Sequence, residues 1–495
     1  MTYHDVTSEP GDADTIVAIS TPPGRGGIGI VRLSGPEALE IAGRLVTVER
    51  PLEHAMARVV RVVDLDADIY IDGAKAGSRA RTIDDAVVTA FLGPRSYTGE
   101  TVVEIAAHGS PVVLEAMVRG ALAEGARMGL AVRLARPGEF TQRAFLAGRI
   151  DLTQAEAVGD LIAAQTLEQA RVAAQQMGGA MARRVAPAKE ELLHLIALLE
   201  AGMDFASGEL DDVEIVPPSA IAGAIESVER PLAALAASFR QGQLLRNGAA
   251  IALIGPPNAG KSSLFNRLLE RERAIVTPLP GTTRDTVEES LALGGIPLRL
   301  IDTAGLRGAA EAVGTAVEGI DAAEQMGIAR SHEALADADL VLLLHDATLA
   351  VTVGELRLEA SLAGRPRLVV YNKVDLLVGV GERVDEAELG GGEAVRTSAL
   401  TGEGLAALRE AILAQLGAAG SLAESGALNN FRQQEAVGST LAALSAATAA
   451  NDSGLPHELI LMDLHRALQA LDSLTGETTP DDILARIFAT FCIGK

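Results

Sequence analysis

The segment AAIALIGPPNAGKSSLFNRLL, residues 249–269, constrains this chain more than any other. A short apolar run, Ile251–Ile254, enters Gly255-Pro256-Pro257-Asn258-Ala259-Gly260-Lys261-Ser262, which fits the phosphate-loop pattern GxxxxGK[ST], and an amphipathic run follows. That pattern requires a buried strand, a loop whose backbone N–H groups curl around a phosphate, and a helix whose positive N-terminus faces it, in that order. An α/β unit with a nucleotide at the strand ends is therefore predicted. Lys261 is expected to reach the β- and γ-phosphates and Ser262 to ligate Mg²⁺, with Asn258, Ala259, Gly260 and Ser263 lining the site.

Two further motifs narrow the nucleotide. Asp302-Thr303-Ala304-Gly305 follows the alternating run PLRLID, where a carboxylate can hold Mg²⁺ through water and a glycine N–H can sense the γ-phosphate. Asn372-Lys373-Val374-Asp375 follows the apolar run RLVVY. Asp375 can accept from both N1–H and the 2-amino group of guanine; adenine offers neither, so buried acceptors would go unpaired. Ser398-Ala399 is expected to close the base pocket. The order and spacing predict GTP or GDP as ligand and lend no support to an ATPase. Between the phosphate loop and DTAG lies PGTTRD, with Thr282 and Thr283; Thr283 is the candidate that binds Mg²⁺ only while the γ-phosphate is present, which makes it a switch. Leu306 stands where Ras-type enzymes keep a glutamine to orient water, so hydrolysis must draw its water-positioning group and its positive charge from elsewhere.

Around this unit the pattern changes. Residues 15 to about 125 carry short β-branched runs (TIVAIS, IGIVRL, ARVVRVVDL, DAVVTAF, TVVEIA) that predict an α+β domain. Residues 152–246 read as helix, with Thr153 and Glu156 at capping-box spacing and Leu192, Leu195, Ile196 and Leu199 as a helical stripe. Helical character resumes from about 428, and Thr479-Pro480-Asp481-Asp482 signals a last helix that places Leu484, Phe488 and Phe491 on one face. The expected division is 1–127 as an N-terminal domain, 128–246 with 418–495 as a discontinuous helical domain, and 247–417 as an inserted GTPase domain. If the helical flanks pack together, the tail FCIGK and its thiol, Cys492, are held in place rather than frayed.

Cys492 is the only cysteine in 495 residues, which excludes an intrachain disulfide and a CxxC zinc site. The polar, acidic start and the lack of a long apolar run predict a cytoplasmic protein with no membrane segment. A net charge of −24 argues against a general nucleic-acid binder. Yet Arg119–Arg149 holds six arginines against Glu124 and Glu139, while Glu200–Glu214 holds six acids and no base. Either is a solvated face or a partner surface.

TPPGRGGIGIVRLSG (21–35), SYTGETVVEIAAHG (96–109), ARPGEFTQRAFLAGRIDLTQAEAVGDLI (135–162), GPPNAGKSS, PGTTRD, IDTAGLR and the terminal FCIGK occur together and in order. In this the chain resembles the MnmE (TrmE) GTPases, which modify the wobble uridine of certain tRNAs. The resemblance implies a folate-binding N-terminal domain that dimerises, a helical domain and an inserted G domain. It also implies a flavin- and NADH-dependent partner forming a heterotetramer, and attachment of an aminomethyl-type group to C5 of uridine from a tetrahydrofolate derivative (5-formyl or methylene form). Arg32, Glu104, Arg149 and Lys495 match the implied folate contacts, and Asn258, Thr277, Leu279 and Thr282 the implied K⁺ ligands. The implied water-positioning glutamate matches Glu324 best, with Glu318 and Glu311 weaker, because the segment after DTAGLR is about ten residues longer than the family pattern. Cys492 is either a nucleophile toward C6 of uridine or a small buried hydrophobe. The alternative function is a regulatory or ribosome-assembly GTPase without covalent tRNA chemistry.

Overall fold

The computed structural model describes residues 14–63, 82–206, 216–256, 258–272, 288–302, 338–377, 394–418, 426–477, 484 and 487–494. It forms two compact units: Met1–Gly159 with Thr475–Lys495, and Asp160–Leu474.

The first unit is built on a six-stranded sheet of order β3-β4-β5-β2-β1-β6. Its strands are β1 (Thr15–Ile19), β2 (Gly26–Ser34), β3 (Ala57–Val63), β4 (Thr82–Phe91), β5 (Val102–Gly109) and β6 (Val132–Leu134). All pairs are antiparallel except β1 with β6. The period-2 alternation of each strand sends one set of side chains inward. In β4, Ala86, Val88 and Ala90 are buried while Val87 faces out. The inward set packs against α1 (Ala38–Leu45) and α2 (Pro111–Met128) through Ile41, Leu45, Leu114 and Met117.

The unit does not stop at residue 127. β6 adds to the sheet edge beside β1, and α3 (Glu139–Leu146) carries Glu139 and Arg143 into an ionic cluster. Asp14 receives Arg133 and Arg143, each at 2.5 Å; Glu139 receives Arg133 at 2.5 Å and Arg143 at 3.2 Å; Arg143 also reaches Glu100 at 3.0 Å. Glu139 is buried, yet the Arg133 bond and the Arg136 N–H hold its carboxyl below the ordinary range against the opposing effect of burial. With Arg127 on Glu124 at 2.6 Å, three of the six arginines in this stretch, Arg127, Arg133 and Arg143, are paired with carboxylates of the same unit. The structure thus places 128–159 and 475–495 with the N-terminal sheet, where the sequence pattern assigned both to the helical domain.

Helix α4 (Leu152–Ala163) also starts differently from its sequence signal. Asp151 Oδ1 accepts from Gln154 N at 2.9 Å and from Thr153 Oγ1 at 2.6 Å, and Gln154 Oε1 accepts from Asp151 N at 2.9 Å. The capping box is Asp151/Gln154, two residues before the expected Thr153/Glu156; those two are buried.

The second unit opens with α5 (Leu167–Met177), α6 (Ala180–Ala206), α7 (Pro218–Ala237) and α8 (Phe239–Asn247), and closes with α12 (Phe431–Asp452) and α13 (His457–Thr475). Leu192, Leu195, Ile196 and Leu199 share one core with Ile225 and Leu232 and, from beyond the inserted segment, Leu444, Leu464 and Leu471. Each such fully buried leucine or isoleucine contributes about 1.5–3 kcal/mol, so the two helical runs stabilise each other despite their separation in sequence. Between them lie β7 (Ala249–Ile254), α9 (Lys261–Glu272), β8 (Glu288–Leu293), β9 (Ile296–Asp302), β10 (Leu340–Asp346), α10 (Val353–Ser361), β11 (Arg367–Asn372), β12 (Ala394–Arg396) and α11 (Leu405–Gln415). The sheet order is β12-β11-β10-β7-β9-β8, parallel except for β8 against β9. Asp160 joins the two crossings into this segment: Oδ1 accepts from Arg246 Nε at 2.7 Å, just before β7, and Oδ2 from Asn429 Nδ2 at 2.8 Å, just before α12. Among the described residues no helix is long and apolar enough to cross a membrane.

Candidate functional site

The strand order reverses at β7, and in an open parallel sheet that switch point is where the crevice for a ligand forms. Every residue of β7 is buried, and the chain leaves it through the phosphate loop into α9. Asn258 has φ 66° and Gly260 φ 91°. A Cβ on Gly260 would collide with the side-chain amide of Asn372, so glycine is required both for the turn and for this close approach. Lys261 Nζ donates to Gly255 O at 2.8 Å and to Pro256 O at 2.9 Å, which lays the ammonium across the mouth of the loop. Ser262 and Ser263 are exposed in the first turn of α9, and Asp302 ends the neighbouring β9, in register with Leu253.

Asn372 ties the phosphate loop to the base loop. Its buried amide donates from Nδ2 to Ala259 O at 2.9 Å and accepts at Oδ1 from Ala399 N at 3.0 Å. Ser398 is buried, and its Oγ accepts from Thr401 N at 3.0 Å, which closes the turn that presents Ala399 N. Lys373 has φ 69°, and Val374–Leu377 forms a 3₁₀ turn that holds Asp375 half-buried. The phosphate loop, Asn372, Asp375 and Ser398–Ala399 therefore converge at one end of one sheet, at strands distant in sequence.

The first unit brings together a second set. The tail lies on the sheet: Gly494 O accepts from Ser20 Oγ and from Arg32 Nη1, both at 3.0 Å. Arg32 also grips Glu104 Oε1 through Nε at 2.9 Å and Nη2 at 2.7 Å, with its guanidinium 5.6 Å from the Phe140 ring centroid. Ile493 bridges Pro137, and Gly138 N donates to Cys492 O at 3.4 Å. Upstream, Leu484 and Phe488 are buried against Leu152 and Ala155, and the Phe491 ring centroid lies 5.6 Å from that of Phe488, tilted by 47°. The Cys492 side chain is exposed. It is thus a surface thiol on an anchored segment, not a small core residue. Tyr97 OH pairs with Thr141 Oγ1 at 3.0 Å, and burial pushes its pKa up. Arg149 is exposed and lies beside Gly99.

A family profile described as the GTP-binding protein TrmE N-terminus matches residues 15–149, and one described as the MnmE helical domain matches 152–492. A protein named tRNA modification GTPase MnmE from Koribacter versatilis (strain Ellin345) is 51% identical over 97% of this chain and 99% of its own. Proteins of the same name from Listeria welshimeri and Laribacter hongkongensis are 40% and 42% identical, over 97% and 98% of this chain and 99% of each. The chain belongs to the MnmE family of tRNA modification GTPases.

Within this MnmE family member several expected site residues lie outside the described residues: Thr277, Leu279, Thr282, Thr283, Thr303, Ala304, Gly305, Glu324 and Lys495. The alternatives Glu311 and Glu318 lie there too. The long-range partnerships of three residues carried no sequence signal. Ser20 acts through a bond 474 positions away, Asp346 pairs with Lys373 at 2.7 Å, and Asp160 joins Arg246 to Asn429. A single serine or aspartate does not reveal a partner tens or hundreds of positions away.

Proposed function

We propose that this chain binds and hydrolyses GTP in its second unit and, with a flavin- and NADH-dependent partner, installs an aminomethyl-type group at C5 of the wobble uridine of tRNA. The observation that carries the nucleotide reading is the Asn372 amide, which spans from Ala259 O to Ala399 N and so fixes the distance between the phosphate loop and the guanine-reading Asp375. Ser262, in the first turn of α9, and Asp302, at the end of β9, would hold Mg²⁺, which would neutralise phosphate charge, with Thr283 as the switch ligand. Asn258, in its left-handed conformation in the phosphate loop, with Thr277, Leu279 and Thr282, would hold K⁺, which would supply the positive charge an arginine finger otherwise brings. Glu324 would orient the attacking water.

In the first unit, the Glu104 carboxylate uses Oε1 for both Arg32 contacts, which leaves Oε2 to accept from the N–H groups of a pterin. Arg149 and Lys495 would pair with the glutamate end of a tetrahydrofolate derivative, the one-carbon donor. Cys492, exposed on the anchored tail, would act on a uridine brought to that surface. The proposed state is a cytoplasmic homodimer. The test is wobble-uridine modification in a strain lacking its own enzyme; restoration by this chain is expected, and no gain over empty vector ends the proposal. Hydrolysis faster in KCl than in NaCl at equal ionic strength is the companion expectation, and equal rates remove the K⁺ site. Folate binding by calorimetry separates this reading from a purely regulatory GTPase, which would bind none.

A further inference from the structure

We infer that Asp346 is a positioning residue of the guanine pocket: it fixes Lys373 and through it the loop that carries Asp375. Asp346 ends β10 in register with Asn372, the end of β11. Its Oδ2 accepts from Lys373 Nζ at 2.7 Å, while Oδ1 accepts from Thr348 N at 3.0 Å and Thr348 Oγ1 at 2.6 Å. Three hydrogen bonds leave this carboxylate one orientation. Burial disfavours its charge, but the bonds from Lys373 and Thr348 outweigh that and hold its pKa below the ordinary value, so it stays ionised at neutral pH.

What this does follows from Lys373. A lysine has a four-carbon stem with large rotamer freedom, and φ 69° is an unusual backbone state for it. Ala347 N donates to Asn372 O at 2.9 Å and Val374 N to Thr397 O at 3.2 Å, so the backbone on either side is already pinned. The Asp346 bond pins the remaining freedom, and the Lys373 stem is stretched between two fixed points. Lys373 stands between Asn372, which sets the spacing of the phosphate and base loops, and Asp375, which reads guanine. A loose stem there would have to be ordered each time a base arrives, and that ordering would be subtracted from affinity. The Lys373 and Asp346 side chains are 30% and 11% exposed, so the pair is partly shielded from solvent and its effect exceeds that of a surface pair.

This inference rests on the guanine-nucleotide reading above. The experiment is a double-mutant cycle on the full chain with Asp346→Asn, Lys373→Met and both together, read by calorimetry with GDP and ADP and by thermal unfolding without nucleotide. Asp346→Asn is expected to weaken GDP binding about tenfold, the effect of one charge-assisted hydrogen bond, with little change in unfolding temperature. The double variant is expected to lose no more than the worse single variant. Additive losses, or a change below about twofold in Asp346→Asn, overturn the assignment. If Asp346→Asn does not fold, Lys373→Met decides: it removes the same bond from the other side, and unchanged GDP affinity there also overturns the assignment. A wild-type chain that fails to prefer GDP over ADP sinks the parent reading and this one with it; normal preference with an unmoved variant sinks this one alone.

Discussion

Asn372→Ala probes the join between the two halves of the nucleotide site. The substitution removes two hydrogen bonds, of 2.9 and 3.0 Å, from a residue only 1% exposed, and leaves Ala259 O and Ala399 N unpaired. Each orphaned buried group costs about 1–3 kcal/mol, so the total is about 2–6 kcal/mol. Both bonds are internal to the folded chain, so part of this appears as lost stability. If about half falls on binding, GDP affinity drops by about 1–3 kcal/mol, or roughly 5- to 150-fold. Asn372→Asp separates the two bonds. It keeps an acceptor for Ala399 N but replaces the donor to Ala259 O with a second acceptor, so two oxygens face each other in a buried site. The expected order of affinity is wild type, then Ala, then Asp, measured by calorimetry and by the dissociation rate of a fluorescent GDP analogue, with unfolding temperature recorded beside them. An Asp variant that binds like wild type refutes the reasoning, because the donor to Ala259 would then hold nothing.

Other perturbations test the rest of the structure. Glu139→Gln breaks the centre of the Asp14–Arg133–Glu139–Arg143 cluster and should cost about 3–5 kcal/mol at pH 7, seen as faster hydrogen exchange in β1 and β6. Because the native pKa of Glu139 is depressed, its contribution is complete above the unfolded-state value and is lost as pH falls through the native one, so wild type should weaken along the acid limb while the variant is flatter; parallel pH profiles would refute this. Gly494→Val places a Cβ 2.6 Å from Ile19 O at φ 92° and should release the tail, read as lost exchange protection in residues 487–494 with GDP affinity unchanged; retained protection counts against the latch. Glu324→Ala should lower GTP turnover tenfold or more with affinity kept, and a larger effect from Glu318→Ala would move the water-positioning role to that residue.

The phosphate loop, the guanine-reading motif and the helical stripe were legible because each depends on local order. A strand, a glycine turn and a helix N-terminus follow one another within residues 249–269, and a period of 3.6 is visible in Leu192–Leu199 without knowing what covers it. The capping residue of α4 was misplaced by two positions because Asp151/Gln154 and Thr153/Glu156 both satisfy the local pattern, and only burial of the second pair decides between them.

The sequence by itself determined which segments are strands and helices and which nucleotide one end of the inserted sheet can hold. Tertiary structure alone decided where residues 128–159 and the tail belong, which arginines are neutralised, and what holds Cys492 near the sheet. The physical reason is range: periodicity and turn chemistry act over a few residues, whereas Ser20 with Gly494, Asp14 with Arg143 and Asp346 with Lys373 are partners chosen by the packed chain, and a count of charges or polar groups carries no record of that choice.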